Sequence, residues 1–141
     1  MSTLLDTNVL SELLRANPDT AVLAWFAAQP ANSLFVSAAT QAEMLLGARL
    51  LAVGKRRQHL EQSLEAMFDE DFAGRLLPFD ARAASEYASL SAARRKAGRP
   101  ISQFDAQIAA IASSHRLALA TRNVSDFEGC ELTVTNPWSG R

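Results

Sequence analysis

Thr3-Leu4-Leu5-Asp6-Thr7-Asn8-Val9-Leu10 passes from a short apolar strand pattern straight into a helical one, with Asp6 at the junction. In an open α/β sheet, ligands and chemistry collect just beyond the carboxyl ends of the parallel strands. If Thr3–Leu5 is such a strand, Asp6 sits on that edge, and the fold follows from whether the rest of the chain alternates in the same way.

It does. Val9, Leu10, Leu13 and Leu14 repeat at helical spacing, and Asn17-Pro18-Asp19 breaks that helix and starts the next, marked by Val22, Leu23 and Phe26. Leu34-Phe35-Val36 reads as a second strand. A helix follows from Thr40 to Val53, with Met44, Leu45, Leu50 and Leu51 inward, and a polar helical stretch runs from Lys55 to about Phe72. Leu76 to Phe79 is a third strand pattern, Asp80 begins an Ala-rich helix ending at Gly98, and Ser102 to His115 is a further helix. Leu117–Ala120 and Leu132–Val134 are the last strands, the second an edge. Strands alternating with helices imply parallel pairing and right-handed crossovers. The expected fold is a three-layer α/β/α domain with a mainly parallel central sheet of four to five strands, a single domain over 1–141.

The bulk composition narrows function. The chain has 48% hydrophobic and 21% charged residues, ordinary for a globular protein, and 14 basic against 15 acidic residues give a net charge of −1. Such a balance excludes nucleic-acid binding through an overall basic field, so any contact with a polyanion must be local and its acids neutralised. No apolar run approaches the ~20 residues that span a bilayer, and no signal-peptide pattern is found. Cys130 is the only cysteine, which excludes an internal disulfide and fits a cytoplasmic setting.

The acids carry the chemistry. Asp6, Glu43 and Asp105 each fall near a helix N-terminus, and Asn123 and Asp126 lie in the loop after the fourth strand. Each acid also has a capping explanation: Asp6 at the first helix, Thr40-Gln41-Ala42-Glu43 and Ser102-Gln103-Phe104-Asp105 as capping boxes or near variants. Together, on one edge of a sheet, they would repel strongly without a cation. Hard divalent ions favour such oxygen donors, and an ion there can activate water and stabilise charge on a phosphodiester. Asp80 reads as a plain helix cap, His59 and His115 as surface residues. No nucleophile elbow and no glycine-rich phosphate loop is present. A receiver domain would want a late lysine, and the last one is Lys96; a haloacid-dehalogenase-type phosphatase would want Asp-x-Asp where Asp6-Thr7-Asn8 stands.

In this order, Leu4 to Glu12, Ser37 to Glu43 with Leu46-Gly47, Pro100-Ile101-Ser102 with Asp105 to Ala110, Ala120-Thr121-Arg122-Asn123 with Asp126-Phe127, and Asn136-Pro137-Trp138 resemble the PIN-domain ribonucleases, specifically VapC toxins and their FitB-like relatives. The resemblance implies Asp6, Glu43, Asp105 and Asp126 as metal-site carboxylates and Asn123 as their polar companion, with Thr121 and Asn8 in support. It implies Mg²⁺- or Mn²⁺-dependent endonucleolytic cleavage of RNA, tRNA or rRNA, by metal-activated water, leaving a 5′-phosphate and a 3′-hydroxyl. It further implies a homodimer and a cognate VapB-like antitoxin, forming a higher assembly through which operator DNA is bound. Arg94, Arg95, Lys96 and Arg99 are candidate contacts to the RNA backbone, and Lys55, Arg56 and Arg57 a second group. The alternative to this enzyme is a PIN-like module that binds antitoxin or RNA without cutting.

Overall fold

Thr3–Leu5 (β1), Leu34–Ser37 (β2), Leu76–Leu77 (β3), Ala118–Ala120 (β4) and Val134–Thr135 (β5) form one sheet in the order β3-β2-β1-β4-β5, every neighbouring pair parallel. The structure is a computed structural model that describes residues 2–139, so the expected domain limits at Met1 and Arg141 lie outside the described residues. Among the described residues six α-helices connect the strands: Thr7–Leu13 (α1), Thr20–Ala28 (α2), Ala38–Arg49 (α3), Lys55–Ala66 (α4), Ala81–Lys96 (α5) and Gln103–Ser114 (α6).

The strand order explains where a site must form. From β1 the chain steps outward to β2 and β3, then returns to the other side of β1 as β4 and β5. The reversal leaves a crevice between the carboxyl ends of β1 and β4, the position at which such sheets bind ligands. Asp6 follows β1 and Thr121 follows β4, and the Asp6 amide donates to the Ala120 carbonyl at 2.9 Å. These two residues therefore face each other across the crevice by topology alone.

Both faces of the sheet are covered. Leu4 and Leu119 pack with α5 and α6 through Ala83, Leu90, Ile108 and Ile111. Leu5, Val36 and Ala120 pack on the other face against Val9, Leu10, Val22, Leu64 and Phe68. Successive strand residues point to opposite faces, so the mainly apolar central strands are what a sheet buried on both sides requires. Ile108 and Ile111 are fully buried, each contributing about 1.5–3 kcal/mol of transfer free energy.

Three elements, α3, β3 and β5, have bounds that depart from the sequence expectation. α3 begins at Ala38, not Thr40, because the Ser37 hydroxyl at the end of β2 accepts the Thr40 amide at 3.0 Å and acts as the N-cap. It ends at Arg49, and Leu50, expected inward, is 76% exposed; it lies two residues past buried Ala48, on the opposite side of the helix. β3 stops at Leu77 because Pro78 has no amide to extend the ladder. β5 is Val134–Thr135, shifted from Leu132–Val134, with the chain turning beforehand at Glu131, whose φ is 56°.

Candidate active site

Asp6 is the N-cap of α1 and only 4% exposed. Its Oδ1 accepts the Thr7 amide at 2.8 Å; its Oδ2 accepts the Thr121 hydroxyl at 2.6 Å and the Asn8 side-chain amide at 3.3 Å. Capping and site chemistry, alternatives from sequence, are thus combined in one carboxylate. Burial pushes its pKa up to about 6; the Thr121 and Thr7 hydrogen bonds oppose the rise, and the charges of Asp105 and Glu43 add to it.

Thr121 is fully buried and ties the crevice together. Its hydroxyl oxygen accepts the Asn123 amide at 3.1 Å and the Asn8 side-chain amide at 3.3 Å, while Asn8 Oδ1 accepts the Arg122 amide at 3.2 Å. Thr121 and Asn8 therefore hold the loop after β4 against the start of α1. Asn123 begins the short 3-10 turn Val124–Phe127, where its carbonyl accepts the Asp126 amide at 3.0 Å; both residues are exposed.

Glu43 lies in the second turn of α3, because that helix starts earlier than its capping-box reading suggested. From there Glu43 Oε1 accepts the Thr7 hydroxyl at 2.7 Å, and Thr7 Oγ1 stands 3.0 Å from the hydroxyl of buried Thr40. Thr7 and Thr40 thus form a hydroxyl bridge between α1 and α3 that the sequence reading did not assign. Its only sequence signal was a threonine directly after Asp6; that it meets Glu43 depends on helix packing.

Asp105 lies in the first turn of α6, whose N-cap Ser102 accepts the Asp105 amide at 3.2 Å, as the near capping box predicts. Burial raises the Asp105 pKa, a Ser102 hydrogen bond lowers it, Asp126 raises it and Arg94 lowers it. Through these couplings Asp6, Glu43, Asp105 and Asp126 share one electrostatic neighbourhood. Among the described residues no three carboxylate, imidazole or thiol groups already close around a common point.

The basic residues sort differently from the sequence expectation. Arg94 is buried, 7% exposed, and is no surface contact for RNA. Its Nε donates to the Arg99 carbonyl at 2.7 Å and its Nη1 to the carbonyls of Asp126 and Glu128 at 2.8 and 3.0 Å. The sequence places a cation near a helix end but cannot show that two loops wrap over it. Gly129, with φ 80°, turns the second of these loops against the Arg94 side chain. Arg99 pairs with Glu128 at 3.0 Å, and Arg95 and Lys96 are exposed. Asp80 caps α5 by accepting the Ala83 amide at 3.0 Å. A groove of about 330 Å³ between α1, α3 and α4 opens beside the acids, lined by Thr7, Ser11, Leu14, Met44, Gly47 and Leu64.

Comparison with known proteins places this geometry among relatives. A PIN-domain family model matches residues 3–128. The sequence is 46% identical over 134 residues to the VapC ribonuclease Y4jK of Sinorhizobium fredii, covering 95% of this chain and 96% of that protein. It is 42% identical over 135 residues to the toxin FitB of Neisseria gonorrhoeae, covering 96% and 97%. A solved structure of FitAB bound to a DNA fragment superposes with a TM-score of 0.90 at 40% identity, covering 96% and 95% of the two chains. A toxin–antitoxin complex from Klebsiella pneumoniae superposes at 0.69 with 27% identity, covering 96% and 98%.

Proposed function

The chain belongs to the PIN-domain family, alongside the VapC ribonucleases and FitB-type toxins, and from that premise we propose that it is a toxin-type endoribonuclease whose divalent cation is held by Asp6, Glu43, Asp105 and Asp126. The observation that carries this reading is Asp6. A buried carboxylate at the switch crevice, pushed up to about 6 and facing two more negative groups, is stabilised in its ionised form by a cation.

The donor set fits a hard ion. The four acids, Asn123 and the threonine hydroxyls offer the oxygen donors that Mg²⁺ or Mn²⁺ prefers, with Mg²⁺ typically retaining several waters on one or two carboxylates. Such an ion supplies an activated water and neutralises charge developing on a phosphodiester. This chain's residues do the rest. Thr121, Asn8 and the Thr7 amide fix both oxygens of Asp6, the Thr7 hydroxyl orients Glu43, Ser102 sets the turn bearing Asp105, and Arg94 ties down the loop bearing Asp126.

The partner in this reading is an antitoxin, as for the relatives crystallised as toxin–antitoxin complexes, and operator DNA is bound through that complex. The apolar groove beside the acids suits the antitoxin's inhibitory segment: Thr7 lines both, so a peptide seated on Leu14 and Met44 can direct a basic side chain at the carboxylates. No helix is long and apolar enough to cross a membrane among the described residues.

The test is cleavage of a mixed tRNA and rRNA pool by antitoxin-free protein in Mg²⁺, Mn²⁺ or EDTA, with Asp6→Asn purified identically. Discrete fragments with 5′-phosphates should require metal and vanish in the variant. Equal cutting by wild type and variant would mean a contaminant; binding without cutting by either would favour a non-catalytic module.

A further inference from the structure

Among the described residues, most arginines are engaged within the fold. Arg15, Arg49, Arg57 and Arg99 pair with glutamates, and Arg75, Arg82 and Arg94 donate to backbone carbonyls. Arg56, Arg95, Arg116 and Arg122 have no ion pair among the described residues, and of these Arg122 alone, itself exposed, stands between two residues of the crevice network.

Its position is set by the acidic site itself. The Arg122 amide donates to Asn8 Oδ1, the preceding Thr121 donates to Asp6, and the following Asn123 amide donates back to Thr121. The Thr121 amide also donates to the Thr135 carbonyl at 2.9 Å, so the ends of β4 and β5 run side by side. This brings the chain after β5 beneath the Arg122 side chain. There the guanidinium carbon lies 5.1 Å from the ring centroid of Trp138. Trp138 is itself fixed: its amide donates to Asn136 Oδ1 at 2.9 Å, and its ring packs on the core that contains Leu5, Val9 and Val22.

A guanidinium laid on an indole is held by the ring's negative face, and that contact does not use its N–H groups. Those donors lie in the guanidinium plane, in the fork that matches two oxygens of a phosphate. A preformed, uncommitted cation at the rim of an acidic cleft is what a near-neutral protein needs to bring a polyanion to carboxylates.

Resting on the endoribonuclease reading above, we propose that Arg122, stacked on Trp138, binds the phosphate backbone of the single-stranded RNA substrate beside the cleavage site. Trp138 is the positioning residue: it holds the guanidinium over its ring but does not touch the RNA. A phosphate contact is independent of base sequence, so a random-sequence probe can test it.

The experiment measures binding of a short, fluorescently labelled, random-sequence single-stranded RNA across a salt series, on the Asp6→Asn background so that the RNA is not consumed. Adding Arg122→Ala should weaken binding about threefold to tenfold at low salt and flatten the log–log salt slope by roughly 0.7, one phosphate contact on a single strand. Arg122→Lys should keep the slope. Trp138→Phe, which retains an aromatic face, should keep the slope with a smaller affinity loss. An unchanged slope in Arg122→Ala, with or without a lowered melting temperature, overturns the inference and leaves the arginine a structural anchor for the chain after β5. If the Asp6→Asn protein binds no RNA at all, the inference and the RNA reading fall together.

Discussion

The two flanks of the acidic cleft are built in different ways. On the β1/β4 flank, Asp6 is 4% exposed and each carboxylate oxygen has a donor in place. On the α6 flank, Asp105 is half-buried and Asp126 exposed, and what fixes them is backbone: the Ser102 cap and the carbonyls held by Arg94. A network that binds both side-chain oxygens leaves a carboxylate little freedom, whereas backbone anchoring fixes the loop and leaves the side chain free to adjust. The contrast teaches a division of labour: one preorganised ligand, and neighbours that can move to suit an ion and its waters.

The comparison can be broken most sharply at Arg94. Arg94→Ala leaves the carbonyls of residues 99, 126 and 128 without this donor and should cost about 2–4 kcal/mol by chemical denaturation. Nuclease activity should fall as the Asp126 loop loosens. Unchanged stability would show that the α6 flank is not held from beneath.

Metal-free protein tests the other flank through pH. Because the folded-state pKa of Asp6 is raised from 3.8 to about 6, the folded state binds this proton more tightly than the unfolded chain does. The destabilisation is absent below about 4, sets in as pH rises past that value and is complete above about 6.5, where ionised Asp6 destabilises the fold by up to about 3 kcal/mol. Asp6→Asn should remove this decline, and saturating Mg²⁺ should offset it in wild type at pH 7.5. A melting temperature with the same pH dependence in both proteins would place the strained carboxylate elsewhere.

Thr121→Val deletes the strongest fixed contact to Asp6 while keeping the side chain's shape. We expect a loss of cleavage of about tenfold to fiftyfold, within the range for partners that orient metal ligands. The acidic limb of the pH–rate profile should move to higher pH, because that hydrogen bond holds the Asp6 pKa down. Asp126→Asn should have the smallest effect, a loss of about threefold to tenfold, if the exposed loop tolerates one neutral oxygen donor in place of a charged one. A larger loss at Asp126 than at Thr121 would reverse the proposed division of labour.

Much of this was legible beforehand. The alternation of apolar strands with helices gives the parallel sheet, and Ser102 capping α6 follows from local hydrogen bonding. Glu43 was picked out with the other acids, but its cap was misplaced by three residues because Thr40-Gln41-Ala42-Glu43 fits a capping box, whereas the Ser37 hydroxyl at the end of β2 is what caps α3. Arg94 was read as a surface cation because a charged residue in the last turn of a helix usually is one. Arg122 passed without assignment because its partner, Trp138, lies sixteen residues away on a separate strand's exit.

The sequence by itself determined what depends on near neighbours: the strand and helix periods, the caps at Asp6, Asp80 and Ser102, and the supply of acids near helix starts. Only the tertiary structure decided which groups meet. The sheet order sets Thr121 opposite Asp6, helix packing brings the Thr7 hydroxyl to Glu43, and two loops folding over α5 bury Arg94. Burial and long-range pairing are properties of the assembled layers, and they turn a helix cap into a carboxylate with a pKa near 6.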